Sequence, residues 1–208
     1  MTCRIIAALG VLGFLLWGGV PPARAGRPEM ARAYALYSSG HYKVAAEKLI
    51  PLAWRGDARA QGLLGFLYEY GKGVPQNYVA AAAWYSCAAE QGEATAQYLL
   101  GLLYDKGHGV PRDVVLSQKW LILATARTST RERDAFTGIR SAVAAKMSAA
   151  QLALAQRLAL EWAPSAPPPF GTTCWPGASA AGSVGSMVGA CSAFPGASGG
   201  MPSERCAR

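Results

Sequence analysis

The chain has 208 residues, 51% of them hydrophobic, enough for one domain with a real core. Twenty Lys and Arg against twelve Asp and Glu give a formal charge of +8; residues 26–55 carry five cations against two anions, residues 128–162 five against three, and residues 56–127 six of each. A nucleic-acid binder needs a concentrated basic face, so that class is set aside, and at most a weak attraction to anionic envelope surfaces remains.

Residues 1–25 open with Arg4, continue through the apolar run Ile5–Val20, and reach Pro21-Pro22 and Ala23-Arg24-Ala25. A charged start, an apolar stretch and a small-x-small site read as a secretory signal peptide. The run is short for a span of ~20 apolar residues. Cleavage after Ala25 is therefore expected, giving a periplasmic or secreted chain with no membrane span, and an uncleaved anchor is the alternative. Without Arg4 and Arg24, 18 basic and 12 acidic residues remain, a charge of +6. Four cysteines also remain: Cys87, Cys174, Cys191 and Cys206. Their spacing is too wide for a C-x-x-C metal or redox motif, and in an oxidising compartment they could pair in three ways. Cys87, on a predicted helix, also reads as a small buried hydrophobe.

Residues 26–55 form a shortened unit. Leu36-Tyr37 followed by Gly40 and Tyr42 predicts a helix, a tight turn and a second helix. Pro51 falls inside that second helix and should kink or shorten it. The pattern then occurs twice in full, over 56–91 and 92–127, with 16 of 36 aligned positions identical. A period of this length signals stacked repeats. In each copy the segment Ala58–Tyr70 or Ala94–Lys106 has helical apolar spacing, and Gly71 or Gly107 follows where a left-handed residue ends a helix. A Gly-x-Gly-Val-Pro turn leads to Asn77 or Asp113, good N-cap residues for a second helix. Gly65 and Gly101 sit mid-helix at a cost of ~1 kcal/mol relative to alanine. Close approach of another helix explains them, with Ala81, Ala88 and Ala89 as the shallow partner face and Trp84 and Trp120 filling the space between units.

Ser129-x-x-Glu132 and Ser148-x-x-Gln151 are capping-box patterns. They open helices predicted over Arg131–Lys146 and Ala149–Trp162, the latter with Leu152, Ala155, Leu158 and Trp162 along one face. Residues 128–163 should thus cap the open side of the last repeat. Residues 164–208 are rich in Gly, Ala, Ser and Pro and should be a disordered tail, or one loosely tied by disulfides. The fold class is all-α: an α-solenoid of stacked antiparallel helix hairpins, with a C-terminal helical cap and that tail.

The pattern A-x-x-x-L-G-x-L-Y-x-x-G-x-G-V-P, then an N-cap and W-(Y/L)-x-x-A, resembles the Sel-one-like repeat, a relative of the tetratricopeptide repeat. The resemblance covers 56–127, and 33–55 in degraded form. The closing helix KMSAAQLALAQRLALEW is similar to the end of many exported bacterial members. The resemblance implies an adaptor or scaffold in protein complexes, and relatives in the bacterial envelope. Some cysteine-rich members are linked to β-lactam binding or hydrolysis. Their paired cysteines are not reproduced here, where the repeats hold Cys87 alone.

The first helix of such a hairpin lines the concave side of the superhelix, where a peptide or partner helix can lie. Besides its core positions it carries a second stripe: Arg59, Leu63, Phe66 and Tyr70 in one copy, Thr95, Leu99, Leu102 and Lys106 in the other, with Tyr98 beside it. Leu63 and Leu99 read as packing between units. Arg59, Phe66, Tyr70, Thr95, Tyr98, Leu102 and Lys106 are assigned to contact with a partner protein or peptide of unknown identity. Neither catalytic set, metal site nor cofactor site can be assembled, because His41 and His108 lie in turns and read as solvated. Glu69, Asp105 and Glu90 read as solvated charges or helix-supporting pairs. An enzyme acting on cell-wall or β-lactam compounds, and a purely structural spacer, are the alternatives to an interaction scaffold.

Overall fold

The computed structural model describes residues 26–166, which form eight α-helices and no strand. The predicted signal segment, Cys174, Cys191, Cys206 and all but the first residues of the predicted tail lie outside the described residues. The helices are α1 Gly26–Ser38, α2 Tyr42–Trp54, α3 Ala58–Tyr70, α4 Tyr78–Glu90, α5 Ala94–Lys106, α6 Val114–Arg127, α7 Thr130–Ala144 and α8 Ala149–Leu160. Helices α1 to α7 pack successively, each on the next, and α8 returns to α6. Short connections make such neighbours antiparallel, so the fold is a row of helix hairpins closed by α7 and α8.

Local chemistry sets the helix ends. Gly71 and Gly107 adopt left-handed conformations with φ of 63° and 75°, and their N–H groups bond to the carbonyls of Leu67 and Leu103. The side chain of Asn77 accepts from the N–H of Ala80, and that of Asp113 from Val115 and Leu116. Asp57 and Glu93 cap α3 and α5 in the same way. The capping box at Ser148 and Gln151 is complete. The one expected at Ser129 does not form: the N–H of Glu132 takes the backbone carbonyl of Ser129, so the hydroxyl makes no cap bond.

Pro51 does not shorten its helix. Helix α2 runs on to Trp54 with 13 residues, as long as α3, α4 and α5. A helical proline frees the carbonyl four residues earlier. That residue, Glu47, is exposed like Pro51 itself, so water can meet the freed group.

Three devices join successive units. The amide nitrogen of Gln61 donates to the carbonyl of Ala53, and Gln97 repeats the bond to Ala89, both at 3.0 Å. Each ties the first helix of a unit to the end of the preceding second helix. The turn glycines Gly73 and Gly109, both with φ of 72°, lie on the backbone that opens the preceding second helix, at Tyr42-Lys43 and Tyr78-Val79. A Cβ there would collide with main chain, so these turns seat unit on unit. Finally, Trp84 meets Trp54 edge-on at 5.5 Å and Trp120 meets Trp162 at 6.3 Å, the inter-unit filling expected of these tryptophans.

Within each hairpin the mid-helix glycine admits a side chain of the second helix. A Cβ at Gly65 would stand 2.7 Å from the ring of Tyr85. At Gly101 the neighbours are Leu121 Cγ at 3.0 Å and the Ser117 carbonyl at 3.1 Å. The expected alanine face is thus corrected: Ala81, Ala88 and Ala89 are buried, but a larger side chain fills the notch at Gly65. The helix is thin there, and a ring gains more contact from a notch than a methyl can.

Candidate partner-binding groove

A groove of about 1600 Å³ runs along the first helices α1, α3, α5 and α7. On its floor Tyr37 meets Phe66 edge-on at 5.8 Å, and Tyr98 stacks flat on Phe136 of α7 at 4.0 Å. Tyr34 stands beside Tyr37 at 6.0 Å and is 54% exposed. Burial raises the hydroxyl pKa of Tyr37 and Tyr98, keeping both as neutral donors.

The residues assigned to contact divide into two sets. Arg59, Phe66, Thr95 and Tyr98 line this groove. Tyr70, Leu102 and Lys106 do not; they lie toward the C-terminal ends of α3 and α5. Tyr70 is 53% exposed and rests on Phe66 at 4.5 Å, while Lys106 is exposed and Leu102 half-buried. Leu63 and Leu99 pack against the core, as read, and also line the groove, as their place on the second stripe allows. Sequence reasoning also missed α1 and α7 as walls. Phe136 is buried and gave no repeat signal, because α7 departs from the 36-residue motif.

The acids read as solvated charges or helix-supporting pairs all hold bonds to other helices or to the segment beyond them. Glu69 is only 7% exposed and accepts from the Tyr85 hydroxyl at 2.8 Å. Burial first, and the Glu69 charge second, push the Tyr85 hydroxyl far above its ordinary pKa. Asp105 pairs with Lys146 at 3.0 Å, and Glu90 accepts from the Trp162 indole N–H at 2.9 Å. The backbone N–H of Ser165, beyond α8, donates to the Glu90 carbonyl at 2.8 Å. The histidines are likewise engaged: His108 lies on Tyr78 at 4.7 Å, and His41 Nδ1 is 2.9 Å from the Ser39 hydroxyl. Lys72, the counterpart of His108, sits over Tyr42 at 5.0 Å. Both turn residues thus cover the tyrosine that opens the preceding second helix, rather than standing free in water. Cys87 is buried on α4. Among the described residues no helix is long and apolar enough to cross a membrane, and no group of three or more His, Cys, Asp or Glu could hold a metal ion.

Comparison with known proteins matches this architecture. The Sel1 repeat model matches residues 58–93 and 94–129. One similar solved structure is c5321, a protective antigen present in uropathogenic Escherichia coli strains and displaying an SLR fold. It is 32% identical, with a TM-score of 0.58, over 64% of this chain and 29% of that one. Another is a Sel1 repeat protein from Oxalobacter formigenes, 31% identical with a TM-score of 0.49, over 64% of this chain and 56% of that one. The chain thus spans under a third and just over half of these two proteins. No curated protein gives a significant match. Residues 58–129 thus match the Sel1 repeat twice in succession, and the described helices share the SLR fold that c5321 displays.

Proposed function

We propose that this chain is a protein–protein interaction scaffold of the bacterial cell envelope, receiving a partner protein or peptide in the groove along α1, α3, α5 and α7. The observation that carries the reading is the groove itself: a continuous concavity floored by partly exposed rings from consecutive units. Sel1 repeats generally mediate protein–protein interaction. Helices already ordered before binding present their surface without a large ordering cost, and aromatic rings with Arg59 suit the anchors of an interface. The envelope location rests on the signal-like character of residues 1–25.

A photo-crosslinking side chain placed at Thr95, exposed in the groove, tests the reading against one at Leu160, 86% exposed on α8. In the native host, position 95 should give a discrete adduct and position 160 none. Equal adducts from both positions, or none from 95, would overturn the groove. Osmotic-shock fractionation of the same cells checks the location, and retention with the cytoplasm would refute export.

A further inference from the structure

Helix α7 is held unlike the first helices before it. Helix α3 packs on α2 and α4, and α5 packs on α4 and α6. Helix α7 has its main packing on α6 alone, because α8 passes it by and returns to α6. Of its described side chains only Phe136 and Val143 are buried, whereas α3 buries seven residues and α5 six. Two polar ties reach other helices: Lys146, just past its end, pairs with Asp105 at 3.0 Å, and Arg140 Nη1 donates to the Thr125 hydroxyl at 3.1 Å. The Lys146 side chain is half exposed, so its pair holds α7 weakly.

The helix is also weak within itself. Ser129 gives it no side-chain cap, and Gly138 stands mid-helix, where glycine is a poor helix former. Gly65 and Gly101 admit a neighbouring side chain, but a Cβ at Gly138 would meet no described atom within 4 Å. Packing therefore does not call for that glycine, and its effect is to loosen α7. The flanking elements hold without it. The Thr128 hydroxyl closes α6 on the Ala124 carbonyl at 2.7 Å before α7 begins. Helix α8 has its own capping box at Ser148, and beyond it the Trp162 indole and the Ser165 N–H both bond to Glu90.

What α7 covers is a ring of the groove. Phe136 lies flat on Tyr98, with centroids 4.0 Å apart and 5° between the planes, and both side chains line the groove. Segments of low local stability open as units, and moving parts of binding sites are drawn from them. We propose that α7 is an order–disorder gate: residues 129–147 unfold locally while α8 stays on α6, and uncover Tyr98 and Phe136 for a partner. The opening is a property of the chain alone, while its use as a gate rests on the interaction reading above. A partner that takes the uncovered rings binds the open form better and so draws the equilibrium toward it.

Hydrogen exchange of the full chain, read by mass spectrometry, tests the opening. Corrected for intrinsic rates, amides of α7 should exchange at least about 100-fold faster than those of α5 and α6. Gly138→Ala should slow α7 about fivefold and leave α5 unchanged. Phe136→Ala should speed α7 about tenfold or more, with α8 still protected. Equal protection of α7 and α5, no slowing by Gly138→Ala, or loss of α8 together with α7 would overturn the gate. The photo-crosslinker at Thr95 then tests its use: in Gly138→Ala the adduct should fall along with the opening. An unchanged adduct would sink the gating role and leave the interaction reading standing. No adduct from either chain, with exchange as expected, would sink that reading and the gating role with it, while the opening stands.

Discussion

The two full repeats share their turn and motif positions yet close their hairpins differently. In the first, Gly65 admits the ring of Tyr85, whose hydroxyl reaches Glu69 on the same helix as the glycine. In the second, Gly101 admits Leu121, and Asp105, the counterpart of Glu69, turns instead to Lys146 beyond α7. The polar tie of the first hairpin is internal; that of the second joins it to the cap. The identical glycine governs how near the helices come, and the residue opposite decides what the acid does. Polar satisfaction differs too. Gln61 Oε1 accepts from Gln91, whereas Gln97 Oε1 has no hydrogen-bond partner, because Arg127 stands where Gln91 stood and lies on Trp162 instead. Ser117 and Gln118 bring buried oxygens without partners to positions where the first repeat has Ala81 and Ala82.

The largest effect should come from what the repeats share. Gly109→Ala sets a side chain against the Tyr78 backbone at a positive φ, and should cost about 3 kcal/mol in denaturant unfolding. A loss below about 1 kcal/mol would mean that the turn does not seat the units. Tyr85→Phe should cost about 2 kcal/mol, since it leaves the buried Glu69 carboxylate without its donor. The same variant sharpens the comparison at high pH. Tyr85 holds its proton more tightly folded than unfolded, so its contribution is whole below an ordinary tyrosine pKa of about 10 and declines as pH rises above it. Unfolding measured from pH 9 to 11 should therefore fall less steeply in the Phe variant, and an unchanged slope would refute the assignment.

Gly65→Ala and Gly101→Ala break the comparison directly. The first meets a packed ring at 2.7 Å and should cost about 1.5 kcal/mol; the second meets the Leu121 side chain at 3.0 Å and the Ser117 carbonyl at 3.1 Å, looser contacts than the ring, and should cost about 0.5 kcal/mol. Equal costs would show that the residue opposite does not matter. The smallest effect has the opposite sign. Ser117→Ala restores the residue of the first repeat, removes an unpartnered hydroxyl and should stabilise by about 0.5 kcal/mol in the same unfolding assay. A loss of stability there would reveal a bond that this packing does not contain.

The helix boundaries of α3 to α6 were legible in the sequence because the groups that set them are local. Gly71, Asn77, Gly107 and Asp113 act within a turn of themselves, and repetition marked them twice. Gln61 and Gln97 were also legible, as an identical pair, though their bonds to the preceding unit went unread. The shortening expected at Pro51 does not occur, because the carbonyl it frees lies on the exposed side of α2. Glu69 was misjudged because its burial depends on a ring that Gly65 admits from another helix.

By itself the sequence determined an all-helical chain of hairpins, the period of its repeats, and which first-helix residues lie off the core stripe. Only the tertiary structure decided that Tyr98 stacks on Phe136, that α1 and α7 wall the groove, and that Arg59, Phe66, Thr95 and Tyr98 share it while Tyr70, Leu102 and Lys106 do not. The reason is range. Caps and turns are set by neighbours a few residues away, whereas a concave surface is set by how each unit leans on the next.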